Sequence, residues 1–455
     1  MDQQLLVIPL LVFLAFFTAD WADAYDAMDP DGNIIVRWDI LEWDTDWNGY
    51  RASVTILNTQ LYRHIGNPGW KLSWEWPKEE VILAMWGGEA TLRGNCSRFA
   101  GKPPHCCNKL PVIVDLLPNA PMDRQITNCC RGGLLSSRME NESNASSTFL
   151  MDVRYITAVN GSEFSREFGT NTSSLAMPTK FSIGVDGYTC SQPKEAEQTR
   201  FPVDSGRRHE EAIRTLKITC TYAQKASQHH CCVTFSSFYN KTIVPCPLCS
   251  CACRGKPPES CSEKGQVPED LKTLSPDDYN PSYVLCSDHM CPVEINWHVM
   301  YNHRNEWRVR VSIRNFNMMK NYSDWSLVVQ HPNLDQLKTS FSFFYKPLDI
   351  YTGHRNVSGV FWGIKHYNDM LLQYGENSMV QSDISLNKIT SQFTLKNGWV
   401  FPRRIDFDGV KCVMPGVGVY PINSKITEND GIKAAAPCWV LSSFPLLIIL
   451  IILFR

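Results

Sequence analysis

The octapeptide Trp307-Arg308-Val309-Arg310-Val311-Ser312-Ile313-Arg314 decides the fold class. Trp307, Val309, Val311 and Ile313 recur at every second position, with Arg308, Arg310 and Arg314 between them. Successive side chains of a strand point to opposite faces, so a period of two puts one face on a core and the other in water. The same short alternation recurs outward from this segment, broken by Gly, Pro, Asn and Asp, and long runs of helical period are missing.

Upstream, Ile34-Ile35-Val36-Arg37-Trp38, residues 50–57 and residues 70–76 read as strands of a first sandwich over residues 25–185. Residues 191–211, rich in Lys, Glu and Arg, read as a linker or exposed loop that marks the boundary. Beyond it, residues 215–222, 231–238, 293–301, 325–330, 340–345, 358–363 and 392–396 supply strands of a second unit over 186–425, and only 367–374 invites a short helix. Residues 245–261 hold too many Pro and Cys for regular pairing. The expected class is all-β: two disulfide-stapled β-sandwich domains with an irregular Cys-rich segment.

With 455 residues, 44% of them hydrophobic, the chain can bury a substantial core. Its 44 Lys and Arg are matched by 46 Asp and Glu, which leaves no cationic excess for a phosphate backbone, so no nucleic-acid partner is expected. Residues 5–17 are almost purely apolar and precede Ala22-Asp23-Ala24, the pattern of a signal peptide over residues 1–24. A second apolar run, 440–454, would reach about 22 Å as a helix, short of the ~30 Å hydrocarbon core. Upstream of it stand the small trio Asn429-Asp430-Gly431 and the spacer 432–439, which together match a glycosylphosphatidylinositol (GPI) attachment signal. The expectation is a lipid on Asn429, removal of residues 430–455, and a mature chain held on the extracellular face of the plasma membrane. Eight glycosylation sequons, at Asn95, Asn141, Asn144, Asn160, Asn171, Asn240, Asn321 and Asn356, suit an exported surface; the one at Asn95 is the weakest, because early pairing of Cys96 would hinder the transferase.

Export makes disulfides the expected state of the cysteines: Cys96, Cys106, Cys107, Cys129, Cys130, Cys190, Cys220, Cys231, Cys232, Cys246, Cys249, Cys251, Cys253, Cys261, Cys286, Cys291 and Cys412. Adjacent residues on a strand face opposite ways, so each vicinal pair should staple to two different partners. Loss of Cys438 with the tail leaves an odd number, hence one free thiol or one intermolecular bridge. Ligand spacing around Cys246 is too irregular for structural zinc, so no metal is expected.

Trp70-Lys71-Leu72-Ser73-Trp74-Glu75-Trp76 is the densest aromatic run. On a strand, Trp70, Leu72, Trp74 and Trp76 share one face, with Trp70 and Trp74 about 13 Å apart. Such a row is either core or a platform on which flat sugar rings stack, and the spacing alone does not say which face meets solvent. Trp43 and Trp47, in a turn rich in Asp and Gly, could extend a platform. No nucleophile elbow, metalloprotease helix, phosphate loop or paired-carboxylate signature occurs, so neither enzymatic activity nor a cofactor is expected.

Ordered strings through the chain carry a resemblance. They are Trp38-Asp39-Ile40, Tyr62-Arg63-His64-Ile65, Asn67-Pro68-Gly69-Trp70, Pro104-His105-Cys106-Cys107, Asp115-Leu116-Leu117-Pro118 and Asn128-Cys129-Cys130-Arg131-Gly132-Gly133. Gly187-Tyr188-Thr189-Cys190, the stretch from Cys231-Cys232-Val233-Thr234 to Asn240, His289-Met290-Cys291-Pro292, Gln330-His331-Pro332-Asn333-Leu334 and Gly398-Trp399-Val400-Phe401-Pro402-Arg403 follow in order. In these the chain resembles the plant COBRA-like family. It departs in a short tail and in Thr234, where the family has serine, a change that keeps the hydroxyl. The resemblance implies a GPI-anchored extracellular protein that helps orient cellulose microfibrils, with an N-terminal cellulose-binding-like module and the option of release into the wall. Trp70, Trp74 and Trp76 are the first candidates for glucan contact, with Trp43 and Trp47 next; cellulose or another wall glucan is the expected partner. The rival reading places an acidic polysaccharide or glycoprotein on Arg308, Arg310 and Arg314 of the second domain.

Overall fold

The computed structural model describes residues 26–44, 49–97, 99, 103–155, 177–203, 207–223, 231–245, 293–316, 321–348, 357–373 and 377–421. The expected signal peptide, Asn429 and the tail, Trp47, the sequons at Asn160, Asn171 and Asn356, and Cys246, Cys249, Cys251, Cys253, Cys261, Cys286 and Cys291 lie outside the described residues.

The fold is all-β, with few and short helices among the described residues. The first sandwich uses β1 (Ile34–Asp44), β2 (Gly49–Asn58), β3 (Lys71–Glu75), β4 (Glu80–Trp86), β5 (Gly88–Ala90), β6 (Val112–Asp115), β7 (Ser146–Tyr155), β8 (Thr179–Ser182), β9 (Tyr188–Cys190), β10 (Lys194–Ala196), β11 (Arg200–Val203), β12 (Arg208–Glu211) and β13 (Arg214–Tyr222). A seven-stranded sheet, β10-β13-β1-β2-β7-β4 with β9 on β13, faces a four-stranded one, β5-β6-β3-β8. Ile34, Val36, Trp38 and Ile40 of β1 point inward onto Leu72 and Trp74 of β3, while Ile35 and Arg37 take the opposite face. Any one-residue slip would expel this whole set from the core, so the burial pattern itself specifies register.

The second sandwich uses β14 (Cys232–Ser237), β15 (Asn240–Val244), β16 (Val293–Asn302), β17 (Glu306–Asn315), β18 (Ser326–Gln330), β19 (Leu337–Ser340), β20 (Phe343–Pro347), β21 (Ser358–Gly363), β22 (Met379–Asn387), β23 (Arg404–Phe407) and β24 (Val410–Lys411). Its sheets run β15-β14-β16-β17-β22-β19 and β20-β21-β18-β23-β24. The alternation of 307–314 is realised in β17, with Trp307, Val309, Val311 and Ile313 fully buried.

Four local expectations need correction. The first domain does not end at residue 185: β13 pairs along β1 from Ile34↔Cys220 to Ile40↔Arg214, so the first sandwich continues to Tyr222. The presumed linker 191–211 holds β10, β11 and β12, whose exposed polar side chains mimic a linker because these are peripheral strands. Residues 392–396 form turns rather than a strand, and they lead into a 3-10 turn at Lys396–Gly398. The helix expected over 367–374 is a single turn at Lys365–Asp369.

The cysteines follow the alternation rule only on strands. Cys231 bonds Cys412 across 181 residues of sequence, Cys190 bonds Cys220, Cys96 bonds Cys107, and Cys232 is disulfide-bonded too. Cys129 and Cys130 instead bond each other; they lie in an irregular loop, where alternation does not apply. Cys106, expected in a disulfide, is a buried free thiol whose ionisation burial disfavours.

The two sandwiches meet where segment 26–29 and the Tyr62-Arg63-His64 string cover the outer face of the five-stranded sheet. Met28, Tyr62, Val328, Leu348 and Val360 form its apolar part. Arg63 reaches across to donate its Nε to the Gly409 carbonyl at 2.8 Å, and its guanidinium pairs with Asp26. Asp26 also accepts from the Tyr62 hydroxyl and lies 3.3 Å from Arg404. Burial alone would raise the Asp26 carboxyl, but Arg63, Tyr62 and the Met28 N–H together bring it down to about 2.

Candidate functional site

The tryptophan row lies inside the first sandwich. Trp70, Trp74 and Trp76 are each 1% exposed and pack with fully buried Trp38. Trp38 meets Trp74 edge-on at 5.1 Å and Trp76 at 6.0 Å, Trp74 meets Trp76 at 5.3 Å, and Trp70 stacks on Phe149 at 6.0 Å. These are favoured aromatic geometries, and ring contact rather than indole hydrogen bonding holds the cluster. The platform expected of Trp70, Trp74 and Trp76 is therefore core. The physical reason is the other parity of the strand: Lys71, Ser73 and Glu75 occupy the solvent side, and Glu75 pairs there with Lys180 at 2.6 Å. Trp43 is half-buried at the end of the same core, stacked on Tyr50 at 6.1 Å.

The first domain also offers to solvent the outer face of its seven-stranded sheet. Arg51 grips Asp152 with two bonds, at 2.8 and 3.2 Å, and lies 3.6 Å from Glu42. The same guanidinium sits 5.8 Å from the ring of half-buried Trp86, which stands across from Leu150 in the ladder. Farther along, the Thr55 and Thr148 hydroxyls are 3.1 Å apart. One indole face beside a row of fixed donors and acceptors can stack a sugar ring and hydrogen-bond its hydroxyls. Neither Trp86 nor Arg51 was expected; the β4 ladder shifts between Ile82 and Ala84, which leaves Met85 inward and turns Trp86 to the outer face.

On the second domain the three arginines share the outer face of β17, and Arg310 among them is charge-paired. Arg310 is held by Asp383 at 2.7 and 3.2 Å, and Arg308 donates to the Ser385 hydroxyl at 3.0 Å. His298, bonded to Ser236 at 2.7 Å, has its pKa lowered by burial and by neighbouring Arg310, which favours the neutral ring. Of the described sequons, Asn95, Asn141 and Asn321 are exposed, and Asn144 and Asn240 are half-buried.

The COBRA N-terminal domain model matches residues 50–223 and the COBRA family C-terminal domain model matches 230–421, so each sandwich corresponds to one model. The chain belongs to the COBRA family. It is 47% identical over 419 residues to COBRA-like protein 1 of Arabidopsis thaliana, covering 90% of this chain and 89% of the relative. COBRA-like protein 1 of Oryza sativa subsp. japonica is 44% identical, covering 91% of each, and Protein COBRA of Arabidopsis thaliana is 43% identical, covering 91% and 89%.

The COBRA strings quoted from the sequence meet one another in space, and their contacts are structural. Asp115 accepts backbone N–H bonds from Cys130, Arg131 and Gly133 at 2.8–3.0 Å, which shapes the Cys-Cys-Arg-Gly-Gly loop. Trp70 N donates to the Gly133 carbonyl at 3.0 Å, and a Cβ on Gly69 would fall 2.2 Å from the Gly132 carbonyl oxygen. In the second domain buried His331 joins two more COBRA strings, with Nε2 2.9 Å from the Trp399 carbonyl and Nδ1 accepting from Asn333 N at 3.0 Å. At the serine-to-threonine departure, the Thr234 hydroxyl accepts from Asn296 at 2.8 Å, a bond that either residue can make.

Proposed function

We propose that this protein is a secreted, GPI-anchored, non-enzymatic protein of the plant cell wall that binds cellulose and modulates microfibril deposition and orientation, and through them cell growth. The observation that carries the reading is membership of the COBRA family across both sandwiches, with relatives in two plants. The export signal at residues 1–24 and the attachment signal at Asn429 are consistent with it. Because the tryptophan row is core, we assign glucan contact in the first domain to the outer sheet face around Trp86, Arg51 and Asp152. Stacking contributes about 1 kcal/mol per ring, so useful affinity requires several contacts along a chain, and a membrane anchor raises the local concentration.

The test is retention of the secreted protein, residues 25–429, on crystalline cellulose, amorphous cellulose, xylan and pectin at low and high salt. Salt-resistant retention on cellulose, weakened by Trp86→Ala, is the expected result, since stacking responds little to ionic strength and exposed charge pairing responds strongly. No retention on either cellulose would overturn the reading. Retention on pectin alone, lost at high salt, would move the function to the arginines of the second domain. Release of the full-length protein from plant membranes by a phosphatidylinositol-specific phospholipase, abolished by Asn429→Gln, tests the anchor.

A further inference from the structure

We propose that the outer face of the six-stranded sheet carries a second glycan-binding site, for a neutral polysaccharide chain, centred on Tyr301, Arg308 and Phe341. The proposal rests on the wall-glycan reading above but concerns a different domain and a different surface.

Strand β16 buries Val293, Ile295, Trp297 and Val299 in strict alternation, so an unbroken strand would bury Tyr301 as well. The ladder shifts between Val299 and Tyr301, and Tyr301 comes to stand opposite Arg308 instead. A bulge of this kind re-aims a side chain, and here it brings a ring to the polar face. The Arg308 guanidinium carbon lies 4.9 Å from the Tyr301 ring centre and 5.5 Å from that of Phe341, while its Nε is held by Ser385. His303 extends the row, 4.5 Å from Tyr301. Phe341 is 59% exposed, far more than a ring placed for the core. A cation held against both rings orders them.

The charges beside the rings select the ligand. Arg310 is neutralised by Asp383 and Glu306 pairs with Lys338 at 2.9 Å, while Arg308 is held by the neutral Ser385 hydroxyl. An anionic polysaccharide would find Arg310 and Lys338 already paired, with Arg308 occupied between the two rings. An apolar protein partner would find the rings interrupted by Arg308 and Asp383, where an interface core excludes charge. A neutral sugar chain uses both features, its C–H faces on the rings and its hydroxyls on the Asp383 carboxylate and the guanidinium edges. Two such surfaces on one chain would bind a long glucan with avidity.

The test is affinity electrophoresis of residues 25–429 in gels containing hydroxyethylcellulose or, separately, polygalacturonate. The variants are Trp86→Ala, Phe341→Ala, Tyr301→Ala with Phe341→Ala, and Phe341→Trp, each checked for unchanged thermal unfolding. We expect Phe341→Ala to weaken retardation by hydroxyethylcellulose about fivefold, the double variant more, and Phe341→Trp to retain it. If Trp86→Ala abolishes retardation while the Tyr301 and Phe341 variants run like the unaltered protein, the second site is refuted and the first-domain reading stands. The reverse pattern supports the second site and refutes the first-domain assignment. Retardation by polygalacturonate alone overturns the neutral ligand, and retardation by neither gel overturns both readings.

Discussion

Arg63 should be the side chain on which the union of the two sandwiches most depends. It is 7% exposed, pairs with Asp26, donates to the Gly409 carbonyl of the second domain, and lies 4.8 and 4.6 Å from the Tyr62 and Tyr222 rings. Removing one partner of a buried ion pair costs about 3–5 kcal/mol, because the remaining charge stays desolvated. Arg404, 3.3 Å from Asp26, offsets part of this, so Arg63→Ala should lose about 3 kcal/mol. At about 2–4 °C per kcal/mol for domains of this size, the midpoint should fall by about 10 °C. Calorimetry should also show the transition broadening or splitting as the domains uncouple. Arg63→Lys should fall between, since it keeps the charge and loses the fork geometry. The Asp26 carboxyl sits at about 2 when folded against an ordinary 3.8, so its contribution is complete above pH 3.8 and is lost as pH falls toward 2. A loss under about 1 kcal/mol with one unaltered transition would refute the reasoning, since such a small effect belongs to exposed pairs.

Three further outcomes are expected. Trp74→Ala should cost about 3–5 kcal/mol in urea denaturation and Trp74→Phe clearly less; an unchanged midpoint for the alanine variant would return that ring to the surface. Gly69→Ala should block packing of the 67–70 turn on Gly132 and Gly133, seen as poor secretion or a midpoint lowered by several degrees, because the contact is with backbone that cannot move aside and φ is +85°. Burial drives His331 from 6.5 down to about 3, so the folded ring stays neutral while the unfolded chain gains a proton below pH 6.5; stability should fall by about 3 kcal/mol between pH 7 and 4.5. Much of that slope should vanish in His331→Gln, and an unchanged slope would show that His331 does not set it.

The class of fold was legible because period-two patterning is local: β17 and β2 fall where the alternation puts them. The domain boundary was not, because β13 joins β1 through a pairing that spans some 180 residues of sequence, and polar peripheral strands look like a linker until their partners are known. Likewise Cys129 and Cys130 obey the alternation rule only if a strand carries them, and a loop does.

The site shows the same limit more sharply. In β3 the information was present on the other parity: Lys71, Ser73 and Glu75 alternate with the indoles, and in a two-layer fold the polar set must be the one that faces water. A row of tryptophans whose neighbours are polar therefore belongs to the core, however much it resembles a sugar platform. Sugar-facing rings have to be sought on the polar parity. Trp86 stands there because the β4 ladder shifts between Ile82 and Ala84, which leaves Met85 inside and Trp86 outside. Tyr301 stands there because the bulge after Val299 carries it to the face it shares with Arg308, and a bulge is a property of the paired ladder rather than of the strand's own residues.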